Sequence, residues 1–235
     1  MFFSAKLMMK VDAMQNVITI DGPSGVGKGT LSLQLAKKLG WHFLDSGAIY
    51  RAVALFAEKR GVDLEDEVLV ASLAAALPLR FEVVGSALNI YLEEEDVTHK
   101  IREEKTGNKA SIVAKHPQVR ENLLQRQRDF AQAPGLIADG RDMGTVVFPS
   151  AKLKLFLTAT AEERAKRRHK QLLESGICVN IEQILSEVEA RDERDRTRSS
   201  APLIAADDAI VIDTSKLGVD EVYASAWKVI KERFF

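Results

Sequence analysis

Gly22-Pro23-Ser24-Gly25-Val26-Gly27-Lys28-Gly29-Thr30 is the stretch of this chain whose residue types and spacing bear most directly on chemistry. Its glycines let consecutive backbone N–H groups converge on one anion, and a helix starting there adds the positive end of its dipole. Lys28 then reaches the outer phosphates as a compact point charge. The stretch follows an apolar run, Val17-Ile18-Thr19-Ile20, and precedes a helical pattern of Leu31, Leu35 and Leu39. That order of strand, glycine loop and helix is what a phosphate-binding P-loop requires. One position departs from the strict pattern. Gly29 stands where Ser or Thr is expected, with Thr30 one further on, which leaves open which hydroxyl touches a metal ion.

Such a loop specifies a nucleoside triphosphate, and the other residues must say what becomes of it. A switch GTPase reads guanine with Asn-Lys-x-Asp. The nearest match, Asn108-Lys109-Ala110-Ser111, lacks the aspartate and follows no strand-like run. An ATPase motor wants an acidic pair after a strand. Leu136-Ile137-Ala138-Asp139 does end in an aspartate suited to organising Mg²⁺ and its water, but Gly140 follows where a glutamate would activate water. A kinase fits better. ATP and a nucleoside monophosphate bring about six negative charges together. Like charges a few ångströms apart repel by on the order of 1–4 kcal/mol per pair, so Mg²⁺, Lys28 and several arginines must offset them.

The acceptor oxygen is already ionised and needs no general base. His42, His99, His116 and His169 are accordingly scattered, without a catalytic partner. In Asp45-Ser46-Gly47-Ala48-Ile49-Tyr50-Arg51, Ser46 and Arg51 stand at a helix start and could hold an acceptor phosphate. Asp45 or Ser46 as a cap, with Arg51 at the surface, is the plainer alternative. Arg141-Asp142 follows Gly140 at the carboxyl end of a central strand, where α/β proteins place ligands.

These groups need a scaffold. A chain of 235 residues suits one large domain with small insertions. Lys plus Arg number 33 against 34 Asp plus Glu, so no global field draws the chain to DNA or an acidic membrane surface. Cys178 stands alone, which excludes an internal disulfide and fits a reducing compartment; it reads as a small, buried or half-buried apolar residue. No apolar run is long enough to span a bilayer. Residues 1–13 are apolar in part, broken by Lys6 and Lys10, and carry no cleavage signal; Met14 sits just before the first strand. They read as a dispensable extension, with 14–235 as the working domain and the cytoplasm as its location.

Strand-like runs at Val17–Asp21, His42–Asp45, Leu136–Asp139, Leu153–Leu157 and Ala209–Asp213 are near-continuously apolar, as strands buried on both faces should be. Helical patterns separate them. The alternation predicts a five-stranded parallel sheet with helices on both faces. Leu79–Val84 and Leu88–Glu93 break the alternation with period-two patterning around Gly85-Ser86, which predicts an inserted antiparallel hairpin. A long amphipathic helix is expected over Ser111 to Ala131, interrupted or restarted at Pro117. Further on, Arg191, Arg194 and Arg198 fall on one face if their helix persists, interleaved with Glu187, Asp192 and Asp195. Alone, such a run reads as a self-paired solvated surface; beside a bound triphosphate it reads as charge compensation.

Taken together, Gly-x-x-Gly-x-Gly-Lys-Gly-Thr, the Asp45 to Arg51 motif, Ile137 to Pro149 and Arg191-Asp192-x-x-Asp195-Arg196-x-Arg198 resemble the bacterial cytidylate kinase family, one of the nucleoside monophosphate kinases. The likeness runs from about Met14 to the C-terminus. It implies an α/β P-loop kinase fold with an inserted antiparallel β domain that binds the monophosphate, about 46–132 with its hairpin at 79–93. It also implies a short helical lid at about 164–180. By this resemblance, Gly22, Pro23, Ser24, Gly25, Val26, Gly27, Lys28, Gly29 and Thr30 hold ATP, and Arg164, Arg167 and Arg168 belong to the lid that closes over it. Ser46, Arg51, Ser111, Arg120, Asp142, Arg191, Asp195 and Arg198 would line the CMP site. Ser111, Arg120 and Asp142 would face the cytosine and sugar, Arg51 and Arg141 would meet phosphate, and Arg191 and Asp195 would shape sugar recognition, which in this family admits dCMP.

Lys28, Arg141 and Arg191 would then carry catalysis by in-line positioning and charge neutralisation. Mg²⁺ would be held largely through water, with Asp139 a candidate. The implied reaction moves the γ-phosphoryl group of ATP to CMP or dCMP. The partners are then small molecules, with no nucleic acid and no membrane, and the protein acts as a monomer. The alternatives are a UMP or AMP kinase, and a P-loop nucleotide-sensing regulatory protein.

Overall fold

The computed structural model describes residues 16–84, 87–174 and 176–235. The extension over residues 1–13 and the hairpin turn at Gly85-Ser86 lie outside the described residues. The chain divides into two compact units. One comprises the residues up to Leu44 and those from Arg128 to Phe235; the other comprises Asp45 to Gln127.

The larger unit is built on a five-stranded sheet of β1 (Val17–Asp21), β2 (His42–Asp45), β6 (Leu136–Gly140), β7 (Leu153–Thr158) and β8 (Ile210–Asp213). Their order is β2-β6-β1-β7-β8, and the sheet is parallel, as the alternation of apolar runs and helices predicts. β1 is central and every one of its residues is buried. Ile18 and Ile20 pack with Leu31 and Leu35 from α1 (Lys28–Leu39), with Ile137, Leu155 and Leu157 from the neighbouring strands, and with Ala226 and Ile230 from the last helix, α8 (Val219–Phe234). Each large aliphatic side chain fully buried in such a core stabilises it by roughly 1.5–3 kcal/mol. The core therefore fixes the carboxyl ends of β1 and β6, from which the chemistry-bearing loops leave. The charged helices α6 (Ala161–Glu174) and α7 (Ile181–Thr197) complete this unit.

The smaller unit opens with α2 (Ser46–Lys59), whose N-cap Asp45 accepts a hydrogen bond from the Ala48 N–H at 3.0 Å. That is the capping role set out as the plainer alternative for Asp45. A short helix absent from the sequence reading, α3 (Glu67–Ala75), follows. The hairpin strands β3 (Leu79–Val84) and β4 (Ala87–Leu92) pair antiparallel, with Leu79 opposite Leu92 and Phe81 opposite Ile90. A two-residue strand, β5 (Glu95–Asp96), adds a third.

The helical stretch expected over Ser111 to Ala131, with an interruption or restart at Pro117, is two helices, α4 (Glu104–Val113) and α5 (Pro117–Arg128), the second starting at that proline and the first starting seven residues earlier than expected. Proline disfavours the helical conformation of the residue before it but suits the first position of a new helix. His116 fills the break, its Nε2 2.7 Å from the Leu64 carbonyl oxygen. Cys178 is exposed rather than buried, as are its neighbours Gly176 and Ile177 in the connection before α7, so an apolar residue type there does not mean core packing. Among the described residues no helix is long and apolar enough to cross a membrane.

Candidate active site

The glycine loop spans the end of β1 and the start of α1, in the context the motif requires. α1 has no side-chain cap and no acidic residue in its first turn. Its N-terminal N–H groups and dipole are therefore available to an anion. The loop lies hard against β7: a Cβ added to Gly22, which has φ 145°, would meet the Leu157 carbonyl oxygen at 2.1 Å. Only glycine fits there.

Lys28 is buried and turns back over the loop, donating from Nζ to the Pro23 carbonyl at 2.9 Å. The Asp139 carboxylate at the end of β6 lies 3.9 Å away. Burial pushes the Lys28 ammonium down to about 7, and the nearby Arg141 and Arg191 guanidinium groups push it further than Asp139 and Asp21 restore it. Arg141, on the loop after β6, donates from Nε to Asp195 on α7 at 2.9 Å. Burial opposes its charge, but Asp195 and then Asp139 raise its pKa above the ordinary value. Asp195 is itself buried, yet Arg141, Arg191 and Arg198 hold its carboxyl below the ordinary carboxylate range. α7 ends at Thr197; Arg198 turns into extended backbone, donates to the Ala201 carbonyl at 2.6 Å and lies 3.9 Å from Asp142. The larger unit thus gathers Lys28, Asp139, Arg141, Asp142, Arg191, Asp195 and Arg198 from three separate chain regions.

Of the three arginines expected in a lid, Arg164 is almost wholly buried. It donates to the Ser24 carbonyl of the glycine loop at 3.1 Å, to the Ala159 carbonyl at 3.2 Å, and to both carboxylate oxygens of Asp192. Arg167 donates to the hydroxyl and carbonyl of Thr214, next to β8. Arg168 is half-buried one position further along α6.

In the smaller unit the expected acceptor residues Ser46, Ser111 and Arg120 are buried polar groups, and Arg51 is half-buried. Ser46 donates to Gln127 Oε1 at 2.6 Å, and Arg51 donates to the Ile101 carbonyl at 2.6 Å. Arg120 donates to the Ala114 carbonyl at 3.1 Å, and its guanidinium lies 5.4 Å from the Tyr50 ring centroid.

Among the described residues no group of three or more His, Cys, Asp or Glu side chains could hold a metal. A hard cation that keeps its waters and binds phosphate oxygens needs only one or two carboxylates, which is how Mg²⁺ is held beside nucleotides. Asp139 fits that part: its Oδ2 would lie 3.6 Å from a Cβ at Gly29, facing the first turn of α1.

Two partnerships here escaped the sequence reading. Asp192 pairs with Arg164 across two helices, and no local pattern announces that. Asp21 accepts hydrogen bonds from the Met143 and Gly144 N–H groups, each at 2.8 Å; burial raises its carboxyl to about 7 against the pull of those two donors. Its one signal was a carboxylate at the end of an otherwise buried strand.

The family model described as cytidylate kinase matches residues 18–232. Similar curated proteins are named cytidylate kinase. That of Shewanella putrefaciens is 58% identical over 220 residues, covering 92% of this chain and 95% of that protein. That of Photobacterium profundum is 56% identical, covering 92% and 95%, and that of Aeromonas salmonicida is 57% identical, covering 90% and 92%. Matched along nearly all of its length, the chain belongs to the cytidylate kinase family.

Proposed function

We propose that this protein transfers the γ-phosphoryl group of ATP to CMP or dCMP, yielding ADP and CDP or dCDP. The observation that carries the reading is the burial of Lys28 among cations. Burial first, and then the nearby Arg141 and Arg191 guanidinium groups, depress its pKa to about 7. Packing like charges together out of water is costly unless an anion completes the set, and a triphosphate meeting a monophosphate is such an anion.

The glycine loop from Gly22 to Thr30 receives the ATP phosphates on its N–H groups. Lys28 leaves the Pro23 carbonyl and turns its ammonium to the outer phosphates. Arg141 and Arg191 neutralise charge on the transferring group, which is where phosphoryl transfer needs most help. Asp195 holds the Arg141 guanidinium in one orientation. The acceptor oxygen is a phosphate oxygen already ionised at neutral pH, so no residue needs to remove a proton from it. Asp139 would hold Mg²⁺ through its water; that ion, when bound, supplies neutralisation of the phosphate charge.

For CMP, the motifs shared with the family nominate Ser46, Arg51, Ser111, Arg120, Asp142, Arg191, Asp195 and Arg198. Residues about 46–132 form the monophosphate-binding region, and about 164–180 the lid, with Arg164 as its fixed root on the glycine loop and Arg167 and Arg168 further out. The near-equal counts of basic and acidic residues favour dissolved small molecules over nucleic acid or membrane as partners. The protein acts as a cytoplasmic monomer.

The test is ADP formation measured with ATP, Mg²⁺ and a panel of nucleoside monophosphates. Rapid turnover with CMP and dCMP alone supports the assignment. Equal rates with AMP or UMP, or ADP release without any acceptor, would overturn it.

A further inference from the structure

The loop that carries Arg141 and Asp142 continues into one short turn of π-helix, Met143–Val147, for which Asp142 occupies the N-cap position. An aspartate there ordinarily turns its carboxylate onto the first free N–H groups of the turn. Asp142 makes no such capping bond. Those N–H groups go instead to a neighbouring strand: Asp21 Oδ1 accepts from Met143 and Oδ2 from Gly144, each at 2.8 Å, both buried. Asp21 lies opposite Gly140 in the β1–β6 register, so its side chain reaches across the ladder to the turn that follows β6.

The other end of the turn is held as well. Arg128 donates to the Val147 carbonyl at 3.0 Å from Nε and to the Val146 carbonyl at 3.2 Å. The approach to β1 is close. A Cβ on Gly144 would stand 2.9 Å from Thr19 Oγ1, 3.0 Å from Lys154 Cδ and 3.3 Å from Asp21 Oδ2. The turn is thus pinned at its N–H end, its carbonyl end and its back. The carboxylate of Asp142, spared from capping, lies beside Arg198.

We propose that Asp21 is a positioning residue for phosphoryl transfer: by capping the Met143–Val147 turn in place of Asp142, it commits the Asp142 carboxylate and the adjacent Arg141 to substrate. A carboxylate is required because both of its oxygens must accept. An amide of the same shape would accept one N–H and present its own N–H₂ to the other. Asp142 would then be drawn back to cap the turn. This inference rests on the kinase reading above, through the roles given there to Arg141 and Asp142.

The experiment compares wild type with Asp21→Asn and, separately, Gly144→Ala, which crowds the same carboxylate without changing its charge. The readouts are kcat, the KM for CMP, ATP binding, and amide hydrogen exchange at Met143 and Gly144. Both variants should lower kcat/KM for CMP at least tenfold, exchange the two amides faster, and bind ATP within about threefold of wild type. Loss of ATP binding in proportion would place the effect in the glycine loop and overturn the inference. So would unchanged CMP kinetics with the amides exposed. Should neither variant fold, wild type still decides: without nucleotide its two amides must be protected, and rapid exchange there removes the brace. Wild type lacking CMP-dependent ADP formation would instead sink the kinase reading and leave the brace standing as architecture.

Discussion

Arg141 Nε and Asp195 Oδ2 meet at 2.9 Å across 54 residues of chain, joining the loop after β6 to the last turns of α7. In the reaction proposed above, Asp195 would thereby fix which guanidinium N–H groups of Arg141 remain for phosphate. Asp195→Asn should therefore lower kcat tenfold or more. Breaking a buried pair by neutralising one member leaves the other charge uncompensated, at a cost of about 3 kcal/mol that urea unfolding would read. The carboxyl's folded pKa is below its ordinary value. Its stabilisation is accordingly present above the unfolded pKa near 4 and lost as pH falls through the folded one. The Asn variant should lose less stability than wild type in that acid window. Equal acid sensitivity would separate Asp195 from the charge network.

Lys28 gives ATP binding a pH dependence of stated sign. Its pKa in the empty protein is about 7, depressed first by burial and then by Arg141 and Arg191. Bound phosphates favour the ammonium and draw the proton back. Above pH 7, ATP binding should therefore take up close to one proton, and affinity should fall as pH rises toward 9, by up to about tenfold per unit. Calorimetry in buffers of different ionisation enthalpy measures that uptake. Lys28→Met should bind ATP weakly with no uptake from this group. The same shift affects the empty fold: the cost of the buried cation is fully present below pH 7 and is relieved as pH rises from 7 toward the ordinary lysine value. Asp21, raised to about 7, works in the adjoining window, removing stability as pH climbs from about 4 to 7.

The pairing of Arg164 with Asp192 suggests a test that separates support of the loop from electrostatics. Arg164→Met removes the donors to Ser24 and Ala159 and strands the Asp192 carboxylate. Stability should fall by about 3–5 kcal/mol, and the KM for ATP should rise. Adding Asp192→Leu removes the stranded charge and should recover most of the stability. It should not recover the KM for ATP, because the contact with the Ser24 carbonyl stays absent. Recovery of both would reduce Arg164 to the partner of a structural ion pair.

The sheet was readable from the chain because each of its strands is a short apolar run buried by helices, and the glycine loop because it lies between a strand and a helix. What escaped had no periodic signature. Glu67–Ala75 is apolar nearly all round, and Val68 and Leu69 stay largely exposed while Val70, Ala71 and Ala74 are buried, so no single face stood out. A two-residue strand such as Glu95–Asp96 is set by the edge it joins. The candidate arginines were nameable through the resemblance of their motifs to a known family, but their partners were not. Arg164 finds Asp192 28 residues away, and Asp21 finds Met143 across 122, through strand register and helix packing alone. The exchange of capping duty between Asp21 and Asp142 is invisible until β1 and β6 lie side by side.

Ser46 poses a question of proton supply within the smaller unit. Its hydroxyl has one proton to donate, and donates it to Gln127 Oε1 at 2.6 Å. In the proposed site a CMP phosphate would also accept, so the two would compete for that proton. Ser46→Ala should raise the KM for CMP and, by leaving the buried Gln127 oxygen without a donor, lower stability by about 1–2 kcal/mol. Gln127→Met removes the competitor and frees the hydroxyl to turn; its KM for CMP should fall below that of wild type. Steady-state kinetics on the two variants distinguish competition from orientation. If both substitutions raise KM alike, Gln127 instead holds the serine in the orientation that its ligand needs.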